Sequence, residues 1–339
     1  MLNTKPALKE GFTLRAPTLD DAPGVLDLMN ACALKVIGRT DDTLEDILGD
    51  WQSPGLSLET DYRVLTEPDG RIIGYALVMD HVRPVAPFVD MYMHPDYWGD
   101  PMIEVLLAWT EERARKALDN PDVPADAQVV MQAATYDNDT YYKAVLQSAD
   151  MTLARLQWRM QIDLDSPPPS PELPEGITIR SINPDEDKRP LLMAIRDAWR
   201  DHWGYVERPF EEHYTRWLHD WEDDYDPSLW YMAMDDGQIV GFSLCKPRYG
   251  DDEDMGWVGT LGVIRSHRKS GIGMALLQHS FGELYKRGKR KVGLGVDAGS
   301  LTGATRLYQR AGMRVMIQIE VYEKELRPGI DYRTQSIEP

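Results

Sequence analysis

The chain is poor in cysteine, short of basic residues and without a long apolar run. Cys32 and Cys245 are the only cysteines in 339 residues. Cys245 closes an apolar stretch that reads as a strand, so a buried free thiol is expected there rather than a disulfide. The opening MLNTKPALKE has no apolar core of a leader, and no apolar run reaches membrane-spanning length, so a cytoplasmic location is expected. Lys and Arg number 37 against 56 Asp and Glu, a formal charge of -19. That balance excludes general nucleic-acid binding and docking on anionic membranes. The surplus acid serves solubility, or it attracts cationic substrates such as amines. His-Glu-x-x-His, paired Cys-x-x-Cys and Gly-x-Ser-x-Gly are all missing, which leaves metal and serine-nucleophile chemistry without support.

What is present is written twice. GFTLR begins at Gly11 and GITIR at Gly176; DGRIIGYAL begins at Asp69 and DGQIVGFSL at Asp236. Offsets of 165 and 167 on either side of DLDSPPPSPELPEG, with its five prolines, argue for a duplicated unit around an extended linker. The expected organisation is a domain over 1–164, a linker over 165–175, a second domain over 176–327 and a tail over 328–339. Periodicity in the second half predicts strands at 177–180, 229–234, 238–246, 257–263, 291–296 and 316–322. Helices are expected around 191–203, from the glycine-rich turn to about 287, and near 304–311. A further helix carries Tyr214, Trp217, Leu218 and Trp221 at i, i+3, i+4, i+7. The order β-α-α-β-β-β-α-β-α-β describes a mixed α/β sheet flanked by helices.

The stretch RSHRKSGIGMALL, from Arg265, turns a strand into a helix through two glycines. Converging backbone amides and the positive end of a helix make such a turn an anion site. It is not a dinucleotide loop, because Leu276 stands where a third glycine belongs, nor a Walker A loop, because Met274 follows Gly273. The spacing of Arg268, Gly271 and Gly273 resembles the Arg/Gln-x-x-Gly-x-Gly/Ala signature of the GNAT superfamily of N-acetyltransferases. GVDAGSLTGATRLYQRAGM is similar to a second GNAT segment. The tandem arrangement looks like that of the mycothiol synthase branch, in which the C-terminal half is the active one.

The resemblance implies two GNAT folds, acetyl-CoA as cosubstrate, no metal, and a small-molecule amine as acceptor. It implies pantetheine pairing along Leu261, Gly262 and Val263, and pyrophosphate binding over Arg268, Lys269, Ser270, Gly271, Ile272, Gly273 and Met274. Tyr308 falls where the family protonates the departing sulfur, although a helical stripe with Ala304, Leu307 and Ala311 also fits a core role. Asp251, Asp252, Glu253 and Asp254 form either a solvated loop or the source of a base, with Glu253 first. Asp201, His202, Trp203 and Tyr205 are the expected acceptor contacts. Eight Lys and Arg against one acid between Arg265 and Lys291 give the phosphates a local basic patch in an acidic chain.

The first half departs from the pattern. Trp98, Pro101 and Ile103 stand at the positions of Arg268, Gly271 and Gly273, and Leu146 at that of Tyr308. Proline supplies no amide donor. One acetyl-CoA per chain is therefore expected, in the second half. The alternatives are a non-catalytic CoA-binding sensor or scaffold, and a protein N-terminal or lysine acetyltransferase.

Overall fold

A computed structural model describes residues 7–80, 84–219, 226–250 and 252–336, which form two compact units. One unit holds the chain up to Arg155 together with Ile319–Tyr332, and the other holds Leu156–Gln318 and the chain from Arg333. The first half contributes β1 (Thr13–Arg15), α1 (Ala22–Ile37), α2 (Leu44–Trp51), α3 (Leu58–Asp61), β2 (Tyr62–Thr66), β3 (Ile72–Met79), β4 (Phe88–Met93), α4 (Ile103–Ala114), β5 (Val129–Tyr136), α5 (Thr140–Ser148) and β6 (Thr152–Asp163). The second contributes β7 (Ile177–Ser181), α6 (Lys188–Trp199), α7 (Phe210–His219), β8 (Trp230–Asp235), β9 (Gln238–Lys246), β10 (Met255–Val263), α8 (Ile272–Lys286), β11 (Lys291–Asp297), α9 (Ala304–Arg310) and β12 (Arg314–Arg327).

The second half follows the predicted order. Its first helix ends at Trp199, four residues before the expected limit at Trp203, because Asp201 turns away to pair with two arginines described below. Tyr214, Trp217 and Leu218 lie on α7, while Trp221 is outside the described residues. Both cysteines are buried and free.

Each unit is a mixed six-stranded sheet, ordered β1-β2-β3-β4-β5-β12 in the first and β7-β8-β9-β10-β11-β6 in the second. Among the described strand pairs, β4–β5 and β10–β11 are parallel and the others in each sheet are antiparallel. The last strand in each is exchanged. Ile319–Arg327 of β12 pairs with β5, and Gln157–Asp163 of β6 pairs with β11. Compactness therefore divides the chain at Arg155 and again at Gln318, while composition marks a division at the proline-rich stretch 165–175.

The repeated motifs do the same work twice. Arg15 forks onto Asp21, and Arg180 forks onto Asp187, tying each first strand to the start of the helix that follows. The inner glycines of the repeat, Gly74 and Gly241, sit under leucines of the next helix. A Cβ on Gly74 would lie 2.9 Å from Leu106, and one on Gly241 would lie 2.9 Å from Leu276 and from Ile272. Glycine at these positions lets α4 approach β3, and α8 approach β9, at close range. Around that contact Phe242, Leu276, Leu277, Phe281 and Leu284 fill the core of the second unit.

Candidate active site

β10 pairs with β9 as far as Val263↔Gly241, but with β11 only as far as Val258↔Leu294. From Gly259 to Val263 its β11-side edge has no strand partner. Leu261, Gly262 and Val263 therefore lie, half-buried, on an edge that an extended ligand can join by main-chain hydrogen bonds.

The strand ends in the glycine turn. Gly271 is the N-cap of α8 at φ 96°, a left-handed conformation that favours glycine. A glycine cap brings no side chain to the helix start, so its first amides stay uncovered. Ile272 and Gly273 precede the first intrahelical bonds, which run from Met274 and Ala275 to the Gly271 carbonyl. Gly273 is different from Gly271. A Cβ there would find only ordinary contacts, 3.6 Å from Val263 and 3.7 Å from Leu307. Neither packing nor backbone requires glycine at 273; its missing side chain keeps Val263 and Leu307 as the nearest side chains at the helix terminus. A glycine-capped helix start with no side-chain cap suits a diphosphate, so the residues present fit a coenzyme A moiety.

Arg268 is occupied by the protein itself. Its guanidinium donates to Asp201 at 2.5 Å, to the Ala198 carbonyl at 3.1 Å and to the Val263 carbonyl at 3.3 Å. Arg265 also grips Asp201, through Nε at 2.9 Å and through a second nitrogen. Asp201 is 1% exposed. Burial alone would raise its pKa, but the hydrogen bonds from Arg265 and Arg268 outweigh this and hold it below the ordinary carboxylate value. Asp201 is thus the anchor of the loop's two arginines, and it is closed to an acceptor. Ser270 donates to the His267 carbonyl at 2.6 Å, and Lys269 is exposed with no partner among the described residues. The later basic residues pair with acids: Lys286 with Glu283, Arg287 with Asp226, Lys289 with Glu253 and Lys291 with Asp252.

Tyr308, on α9, is 6% exposed within the core of the second unit. Burial pushes its hydroxyl up to about 12, so the phenol keeps its proton at neutral pH. The other acceptor candidates lie on the loop after α6. His202 is exposed and stacks on Trp199 at 5.3 Å. Trp203 donates to Gln335 at 2.8 Å, and Tyr205 donates to Glu207 at 2.9 Å. Glu253 is separated from this group. It is exposed, beside Lys289, in the turn before β10, and the strand from Met255 to Gly259 spans roughly 13 Å. Asp251 lies outside the described residues. β10 itself, MGWVGTLGV, carries no titratable side chain.

The matching loop of the first unit is filled. The Trp98 indole donates to the Met93 carbonyl at 2.8 Å and stacks on Tyr141 with ring centroids 4.8 Å apart. Asp100 accepts the Met102 amide at 3.0 Å at the start of α4 and pairs with Lys9. The chain's own carboxylate thus covers an amide at that helix terminus. Composition suggested the loss of phosphate binding here; the stacked rings and the carboxylate cap were not visible in it.

The family model described as the acetyltransferase (GNAT) family matches residues 192–313. The crystal structure of a GCN5-related N-acetyltransferase from Sphaerobacter thermophilus is 38% identical, with a TM-score of 0.79 over 96% of this chain and 99% of that one. The chain belongs to the GNAT acetyltransferase family. Among curated relatives, a mycothiol acetyltransferase of Thermobispora bispora is 35% identical over 165 residues, which span 48% of this chain and only 55% of that protein. A second, of Frankia casuarinae, is 28% identical over 272 residues, 77% of this chain and 74% of the relative. Membership makes this GNAT protein an acyltransferase built from two GNAT folds. Among its described residues no helix is long and apolar enough to cross a membrane, and no His, Cys, Asp and Glu group is arranged to hold a metal ion.

Proposed function

We propose that the second unit binds one acetyl-CoA per chain and transfers its acetyl group to a primary amine of a small molecule. The observation that carries this reading is the glycine-capped start of α8, with no side-chain cap, beside the unpaired edge of β10, set against a first unit whose equivalent is plugged. The uncovered amides near Ile272 and Gly273 receive the pyrophosphate, with Lys269 as the nearby unpaired cation. Arg265 and Arg268 act through Asp201, fixing the turn rather than neutralising the ligand. The β10 edge at Leu261 holds the pantetheine arm, and a backbone N–H there polarises the thioester carbonyl. The amine attacks that carbonyl, the carbon–sulfur bond breaks, and Tyr308 gives the thiolate its proton.

Glu253 lies before the start of β10, so we assign proton removal to the loop after α6, where His202 is exposed and the other exposed acid, Glu207, is paired with Arg196. The surplus of acid in the chain favours a cationic acceptor. The names of the curated relatives support a mycothiol-synthase-like acceptor, the cysteinyl amine of a sugar–inositol conjugate, as the first to be tried.

Calorimetric titration should give a site number near one, and free thiol should appear only when an amine is supplied. Two comparable sites would reject the plugged first unit. Binding without turnover across an amine panel would leave a sensor or scaffold, and turnover on peptides alone would leave a protein acetyltransferase.

A further inference from the structure

After β12 the chain returns to the second unit at Arg333 and lies along the loop Arg200–Tyr205. The Gly204 amide donates to the Thr334 carbonyl at 2.8 Å, and the Thr334 amide donates to the Tyr205 carbonyl at 3.0 Å. The Thr334 hydroxyl donates to the Arg200 carbonyl at 3.0 Å. The Trp203 indole donates to Gln335 at 2.8 Å, and the Arg333 guanidinium lies 5.8 Å from the Trp203 ring centre. Arg333 is 7% exposed. Three consecutive residues thus make every one of these contacts with one stretch of loop.

That stretch has no helix or strand of its own, and ordering such a segment costs roughly 1 to 2 kcal/mol per residue in backbone entropy. Asp201 anchors its first part to Arg265 and Arg268. In the part from Trp203 to Tyr205, the Gly204 amide and the Tyr205 carbonyl both bond Thr334 of the returning segment, while the Tyr205 amide donates to the His202 carbonyl at 3.1 Å. The two ends of the loop are therefore held by different parts of the chain: one by the cofactor turn, the other by Arg333–Gln335.

We propose that Arg333–Gln335 is a positioning segment of the acceptor site, which fixes Trp203 and Tyr205 and so sets acceptor affinity without touching acetyl-CoA. The proposal rests on the reading of this loop as the acceptor side. Thr334→Pro deletes the amide that bonds Tyr205, whereas Thr334→Ala removes only the hydroxyl. In the proline variant the acceptor KM should rise roughly 5- to 50-fold, the effect of losing two ordinary hydrogen bonds. The turnover number and the acetyl-CoA Kd should stay within about twofold, and the Gly204 amide, which donates to the Thr334 carbonyl, should exchange faster with solvent. The alanine variant should move KM by less than about threefold. Faster exchange with an unchanged KM would overturn the proposal, as would unchanged exchange, or an acetyl-CoA affinity that weakens in step with KM. A wild-type protein that releases no thiol with any amine would remove the acceptor-side reading, and this proposal with it.

Discussion

Met93 and Val263 end equivalent strands, and the carbonyl of each accepts an N–H from the loop that follows. In the first unit the donor is the Trp98 indole, and in the second it is the Arg268 guanidinium. Both residues meet the same requirement of the fold, a satisfied carbonyl at the strand end. Their other contacts differ. Trp98 stacks on Tyr141, on the helix that would form one side of a coenzyme groove, whereas Arg268 folds back onto Asp201 and Ala198. A signature arginine can thus be kept for the shape of a loop. What separates a candidate site from a filled one is then the glycine pair, which the first unit replaces with Pro101 and Ile103.

The sharpest way to break this comparison is at Tyr308. Tyr308→Phe should lower the turnover number by roughly 10²- to 10⁴-fold, the range for a lost general acid. Acetyl-CoA affinity and thermal stability should barely change, because the ring remains. Leu146, its counterpart, is fully buried in the first unit, and conservative replacement there should touch stability alone. Wild-type turnover in Tyr308→Phe would return the residue to a purely core role.

The next test transplants the first unit into the second. Gly273→Ile sets a branched side chain beside Val263 and Leu307 at the helix start, where a Cβ alone would already be in ordinary contact, and a melting temperature close to wild type is the control that the unit still folds. If one or two charge-assisted bonds to phosphate are lost, acetyl-CoA should bind about 10- to 150-fold more weakly. An unchanged Kd would show that the ligand does not approach this terminus.

The smallest effect concerns the clamp. Asp201→Asn keeps an acceptor but loses its charge, so it should destabilise the protein at pH 7 by about 1 kcal/mol. The Asp201 pKa is lowered in the folded state, so its contribution is present above the unfolded value of about 3.9 and is lost as pH falls through the folded value. The stability gap between wild type and variant should therefore hold steady from neutral pH to about 4 and close below it. A gap that closes between pH 5 and 7 would mean that Asp201 is not held by its two arginines.

Much of this was legible in the sequence because it is local. Strand and helix order follow from periodicity, and the turn at Gly271 follows from two glycines before an apolar run. Trp98, Pro101 and Ile103 already marked the first loop as altered. What could not be read depends on distant partners. Asp201 stands 67 positions before Arg268, and no spacing rule connects an acid to an arginine that far away. It was consequently expected to face the acceptor, while the structure buries it beneath the loop. The partners of Trp203 in Arg333–Gln335 are likewise beyond local pattern, since a short polar stretch after a strand carries no periodic signal. Glu253 was chosen by proximity in sequence to β10, and the structure sets it in the exposed turn before that strand, beside Lys289.

The exchange of β6 and β12 also decides when each sheet can be finished on the ribosome. The first unit is synthesised first, yet the edge of β5 stays bare until Ile319–Arg327 emerges, after nearly the whole second half has been made. A bare strand edge is a template for wrong pairing, so this interval is the exposed moment in the life of the protein. A premature stop in the second half withholds the closing strand from the first unit as well. Gene splitting meets the same obstacle, because a cut at the proline-rich linker leaves each product without its own last strand. The duplicated halves are bound to remain one polypeptide, whichever of them still carries out chemistry.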